Sequence, residues 1–205
     1  MSLSHDKYIA KKVFRWVGLP TPDYILVTNP NKIPSIDLEY PLFIKPAHEG
    51  TSIGINENAR VEDEISLEKQ VQWVWDKIRA PILIEKFIEG LEFTISILGN
   101  EVLPIIEIFS PTSYYSNSQK EGNHDFIYRV CPAKITEEKK QELQRTALDA
   151  MKELELHDFS RMDLRMIRKM IFIYSKLIRF RYFIPIQNKR HLYVHHSMLD
   201  IHMKA

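Results

Sequence analysis

Apolar residues recur at helical spacing through Tyr8, Ile9, Val13, Phe14 and Val17. This predicts a helix from Asp6 to Val17, with Asp6 as N-cap and Gly18 ending it. Leu19-Pro20-Thr21-Pro22 then forces an extended stretch, Tyr24 to Val27 reads as a strand, and Asn29 to Asp37 reads as a loop. Leu42 to Ile44 is a short buried strand that delivers Lys45 to its end, where Pro46 closes the ladder because it has no N–H to donate. Ile53-Gly54-Ile55 is expected to return as the second strand of a hairpin. Val61 to Arg79 carries Ile65, Leu67, Val71, Val74, Trp75 and Ile78 on one face, the pattern of an amphipathic helix. Pro81 to Ile84 is a second buried strand running into Glu85, and Thr94–Leu98 and Val102–Phe109 alternate about Gly99-Asn100 as a hairpin.

Ser110 to Tyr128 is polar and too long for an ordinary connection, and its tyrosines and Lys120 suggest a lid over a charged substrate. Thr136 to Leu156 is a helix with Thr136 as N-cap, Glu137 and Glu138 in the first turn, and Leu143, Ala147, Ala150, Met151 and Leu154 on one face. From Ser160 to Arg165 the pattern alternates again. Arg161, Asp163 and Arg165 share one face of a strand, Met162 and Leu164 the other.

At 205 residues and 44% hydrophobic content the chain can fill a substantial core. The single cysteine, Cys131, excludes an internal disulfide framework and a cysteine-rich zinc site. The start of the chain has no apolar signal core, and no stretch reaches the length of a membrane span, so the expected setting is cytoplasmic. The net charge of +1 conceals two compositions. Residues 1–165 hold 20 Lys+Arg against 26 Asp+Glu, whereas residues 166–205 hold 8 against one acid, Asp200.

Three stretches carry candidate chemistry. After Lys45 come Gly50, Thr51, Ser52 and Gly54. Glycines that free backbone N–H groups, hydroxyl donors and a lysine cation suit a polyphosphate; a solvated hairpin loop with a surface lysine is the plainer reading. No Walker pattern and no Gly-x-Gly-x-x-Gly is present. Glu85-Lys86-Phe87-Ile88-Glu89-Gly90-Leu91-Glu92 can present backbone groups beside carboxylates, as a purine edge and a ribose require, or can simply connect two subdomains. Asp163 between two arginines is either a structural ion pair or a metal and phosphate station.

Four separated stretches, in order, resemble the ATP-grasp superfamily and specifically D-alanine–D-alanine ligase. They are Asp6-Lys7 through Lys11 to Pro22; Lys45 to Gly54; Glu85 to Thr94; and Cys131-Pro132-Ala133 with Arg161-Met162-Asp163. The resemblance covers roughly residues 6–166 and implies an α+β ATP-grasp fold of two subdomains gripping ATP, C-terminally incomplete. Residues 1–22 would be a linker helix, 23–87 the subdomain with the glycine loop, and 88–165 the subdomain with the lid and the start of a metal site. It further implies that Lys11 and Lys45 touch ATP phosphates and that Thr51 and Ser52 close over them. Glu85, Lys86, Phe87 and Ile88 would form the adenine hinge, and Glu92 would hold the ribose. Tyr115 and Lys120 would lie on the substrate-side lid, Arg161 would stabilise transition-state charge, and Asp163 would bind magnesium (or manganese). The implied reaction joins two D-alanines through an acyl phosphate, for cell-wall peptidoglycan precursors. The implied partners are ATP and D-alanine in a homodimer, with no nucleic acid and no membrane.

Two features depart from that pattern. The family places an α/β domain before the helix that here starts near Asp6, and it follows the Asp163 strand with one ending Glu-x-Asn. Met166 to Ala205 contains no glutamate. A reading frame shifted after about residue 166 would account for this: with suitable codons, the DNA read two bases later spells a strand ending Glu-Ile-Asn. A native basic tail able to contact nucleic acid or acidic lipid is the alternative. Either way the chain is expected to be an inactive or impaired ligase fragment. A non-catalytic nucleotide-binding remnant and a different ATP-grasp carboxylate–amine ligase are the competing readings.

Overall fold

The computed structural model describes residues 6–50, 53–109, 128–156, 159–167, 170–173 and 178–179. Two antiparallel sheets, each with helical cover, organise these residues.

The first sheet has the order β1-β4-β2-β3, formed by β1 (Tyr24–Val27), β2 (Leu42–Pro46), β3 (Arg60–Val61) and β4 (Ile82–Lys86). Alternation explains its two faces. Leu42 and Ile44 of β2 and Ile82 and Ile84 of β4 turn to one side and pack with Leu67, Val71 and Val74 of α2 (Glu64–Ile78). Phe43, Lys45 and Glu85 therefore turn to the other. Helix α2 starts at a capping box, in which the Asp63 carboxylate accepts from the Ser66 N–H while the Ser66 hydroxyl accepts from the Asp63 N–H.

The second sheet runs β10-β9-β5-β7-β8, with β6 also pairing β5 and β11 also pairing β9. Its strands are β5 (Leu91–Leu98), β6 (Glu101–Val102), β7 (Ile106–Phe109), β8 (Tyr128–Val130), β9 (Phe159–Ile167), β10 (Met170–Ile173) and β11 (Ile178–Arg179). Strands β5 and β9 are paired from Leu91↔Met166 to Leu98↔Phe159. Phe93, Ile95 and Ile97 of β5 and Met162, Leu164 and Met166 of β9 form one core with Ala10 and Phe14 of α1 (Lys7–Trp16) and with Leu143, Ala147, Ala150 and Met151 of α3 (Glu137–Glu153). The opposite face of the same two strands is polar.

Helices α1 and α3 begin at the expected caps, Asp6 and Thr136. Three expectations need correction. Ile53-Gly54-Ile55 is not the returning strand: Gly54 has φ +74°, its neighbours form a turn, and β2 pairs with Arg60–Val61 instead. A Cβ on Gly54 would lie 2.5 Å from Pro46 Cγ, so this turn is folded tightly back on the end of β2. Val61 belongs to that strand, which moves the start of α2 to Glu64. Val102–Phe109 is not one strand of the hairpin: β6 and β7 pair separately with β5, whereas Pro46 ends the β2 ladder opposite Ile82 as expected. The predicted lid, Ser110 to Tyr128, falls almost wholly outside the described residues, as does most of the basic stretch after Met166. No helix among the described residues is long and apolar enough to cross a membrane.

Candidate functional site

The hydrophilic face of the first sheet receives a side chain from α1. Lys11, on the second turn of the helix, is fully buried and reaches Glu85 at 3.0 Å, while Lys45 of β2 reaches the other Glu85 oxygen at 2.8 Å. Lys11 Nζ also donates to the Thr21 hydroxyl at 2.7 Å. Two ammonium groups thus share one carboxylate in a site shielded from water. Burial drives the Lys11 pKa down to about 8; the Glu85 charge opposes that shift and the Lys45 charge reinforces it. Burying charge is costly unless it is compensated, and Glu85 pairs with both lysines inside the site.

The segment leading from Lys45 into the glycine loop is anchored at its root. Lys7, in the first turn of α1, donates from Nζ to the carbonyls of Pro46 (3.0 Å), Ala47 (3.3 Å) and Glu49. Asp6 caps α1 through Oδ1, accepting from the Tyr8 and Ile9 amides, and meets His48 Nε2 through Oδ2 at 3.1 Å. Ala47 N–H donates to Pro81 O at 2.8 Å.

Beyond Glu85 the chain leaves the first sheet and enters the second. Lys86 N–H donates to Asp23 O and Phe87 N–H to Pro41 O, both at 2.9 Å. The Lys86 side chain pairs with exposed Glu39 at 2.7 Å. Phe87 and Ile88 are buried, and the Phe87 ring lies 6.0 Å from that of Phe43. On the polar face of the second sheet, register sets Glu92 opposite Arg165, Thr94 opposite Asp163 and Ser96 opposite Arg161. Glu92 Oε2 accepts from Arg165 Nη2 at 2.7 Å, and the Thr94 hydroxyl donates to Asp163 Oδ1 at 2.8 Å, with Arg161 Nε 3.6 Å from the same oxygen. Burial pushes the Glu92 carboxyl above its ordinary value, against the pull of Arg165.

Of the residues singled out from sequence, Lys11, Lys45 and Glu85 form one cluster, while Glu92, Arg161 and Asp163 share one face. Phe87 and Ile88 lie between Glu85 and Glu92 along the chain. Thr51, Ser52, Tyr115 and Lys120 lie outside the described residues. Lys7 escaped the functional reading, and Arg165 entered it only as one of the two arginines flanking Asp163, not as a partner of Glu92. A first-turn lysine resembles any solvated helix residue, and Arg165 acquires its role only from the pairing of β5 with β9.

Comparison with known proteins identifies the family. The family described as D-ala D-ala ligase C-terminus matches residues 13–175. The chain belongs to that family. The D-alanine–D-alanine ligase of Dechloromonas aromatica is 34% identical over 168 residues, which is 80% of this chain and 54% of that protein. A crystal structure of the D-alanine–D-alanine ligase from Bacillus anthracis superposes with a TM-score of 0.70 at 25% identity, covering 85% of this chain and 56% of that one. The same enzyme complexed with ATP superposes at 0.68 and 24% identity, covering 85% and 54%. The fold is thus α+β ATP-grasp, and the chain spans about half the length of the ligases it matches.

Proposed function

We propose that this chain is the ATP-holding portion of an ATP-dependent ligase that joins two D-alanines for peptidoglycan precursors. The observation that carries the reading is the convergence of two buried lysines, Lys11 and Lys45, on Glu85, just before the glycine-containing stretch Gly50–Gly54 of the sequence. Both lysines serve as phosphate cations, and Thr51 and Ser52 supply donors from the loop. With the Lys86 and Phe87 amides committed to Asp23 and Pro41, the Ile88 amide is the hinge donor left for the base edge among the described residues. Glu92 accepts from the ribose hydroxyls. On this reading 1–22 is a linker helix and entry, 23–87 and 88–165 are the two gripping subdomains, and 166–205 is an atypical basic stretch read out of frame, whose described residues pair with β9 in the second sheet or extend it.

In the reaction, a D-alanine carboxylate attacks the γ-phosphorus, forming an acyl phosphate and releasing ADP. The amine of a second D-alanine then attacks the acyl carbon, and inorganic phosphate leaves. Arg161 is assigned to the negative charge that develops on the carbonyl oxygen. Tyr115 and Lys120 belong to the lid that keeps water from the acyl phosphate. The described residues do not complete a divalent-cation site, because no three His, Cys, Asp or Glu side chains come together among them. Asp163 is the one ligand assigned, with Oδ1 already accepting from Thr94. One carboxylate is a poor hold on magnesium. The proposed setting is the cytoplasm and the proposed assembly a homodimer.

Equilibrium binding of a fluorescent ATP analogue, competed with ATP, tests the reading, alongside D-alanine-dependent release of ADP. Competable binding with little or no D-alanine-dependent turnover by the 205-residue chain is the expected result. Absence of ATP binding in the folded chain overturns the nucleotide assignment, and brisk turnover overturns the expectation of an impaired fragment.

A further inference from the structure

Arg165 is the largest side chain among those that are fully buried, with 2% of its surface exposed. Its guanidinium uses both ends of its fork. Nη1 donates to the carbonyl of Ile88 at 3.0 Å, and Nη2 donates to the carboxylate of Glu92 at 2.7 Å. The guanidinium carbon lies 5.3 Å from the centre of the Phe87 ring. The Ile88–Glu92 segment is also pressed onto β9, because a Cβ on Gly90 would stand 2.4 Å from the Met166 carbonyl oxygen. One side chain on β9 thus grips the connecting segment at Ile88 and the start of β5 at Glu92.

As a purely stabilising device this arrangement is weak, since a buried ion pair recovers little beyond its own desolvation and an apolar replacement often serves as well. A reason to keep it lies in what it holds. Resting on the nucleotide reading above, we propose that Arg165 is a positioning residue for the nucleotide. It fixes the Glu92 carboxylate relative to the Ile88 backbone, so that ribose and base are recognised as one rigid unit. Both ends of the guanidinium fork are needed, because a lysine presents a single point charge that cannot span the two acceptors in this planar geometry.

The test compares ATP with 2′,3′-dideoxy-ATP, which lacks both ribose hydroxyls, in binding to the full 205-residue chain and its variants. Wild-type is expected to prefer ATP by about 10- to 100-fold, the range for hydrogen bonds to a charged group. Glu92→Gln reduces that preference, and Arg165→Met is expected to bring it within about 3-fold, as loss of the charge-assisted geometry requires. Arg165→Lys is intermediate. A stability role alone would lower the melting temperature without moving the ratio. A folded Arg165→Met chain with the wild-type ratio overturns the proposal while leaving the nucleotide site intact. Should Arg165→Met fail to fold, an unchanged ratio in Arg165→Lys overturns it equally. A wild-type chain that binds neither nucleotide removes the underlying reading, and the proposal with it.

Discussion

Lys11 illustrates how burial gives a single side chain opposing pH signatures. Its folded pKa, about 8, lies below the model-compound value of 10.5, so between these values the unfolded chain binds the extra proton and the native chain does not. Stability therefore rises with pH across that window. Denaturant titrations at pH 7.5, 8.5 and 9.5 should show this upward slope in wild-type, and less of it in Lys11→Met. If Lys11 holds phosphate as proposed, nucleotide affinity runs the other way, and ATP binding should weaken above pH 8. Replacing Lys45 with Met removes the second cation and should weaken ATP binding by about 10- to 100-fold, the worth of a charge-assisted hydrogen bond. Competition binding at pH 7 measures that loss directly.

Among the elements, the seam between β5 and β9 is the least forgiving. Gly90 precedes β5, and any side chain there meets the Met166 backbone at 2.4 Å, an obstacle that cannot rotate away. Gly90→Ala should cost about 1–3 kcal/mol, as overpacking typically does, read as a lower urea midpoint. The helices and most strands were legible from local pattern: Asp6 and Thr136 announce their caps, and the alternation of Met162 and Leu164 with Arg161, Asp163 and Arg165 already separates core from polar face. Ile53-Gly54-Ile55 misled because two isoleucines around a glycine mimic alternation. The positive φ of Gly54 and its tight packing on Pro46 belong to a turn. The grip of Lys7 on three carbonyls some forty residues away, and that of Arg165 on Ile88 and Glu92, depend on long-range placement that local spacing does not encode. The lysine–glutamate cluster was legible only in its members, since nothing local shows that Lys11 and Lys45 converge on Glu85.

Across the whole molecule, a ligand that engages both the Lys11–Glu85–Lys45 cluster and Glu92 makes contacts on elements belonging to both sheets. ATP at a hundred times its dissociation constant should stabilise the folded chain by about 2.7 kcal/mol. For a chain of this size that corresponds to a rise in melting temperature of about 5–10 °C. A thermal scan with and without ATP reads it, and the shift should shrink in Lys45→Met at the same ATP concentration.

Strands β5 and β9 hold packing and chemistry in strict alternation. Phe93, Ile95, Met162 and Leu164 turn to the core, while Glu92, Thr94, Asp163 and Arg165 form cross-strand pairs on the polar face. Substitutions on one register leave the other undisturbed. Such a scaffold separates recognition from packing, so a substitution at Thr94 or Arg161 is expected to change ligand binding more than the core. A single inserted residue in either strand would exchange the two registers, which makes insertions there far more damaging than substitutions.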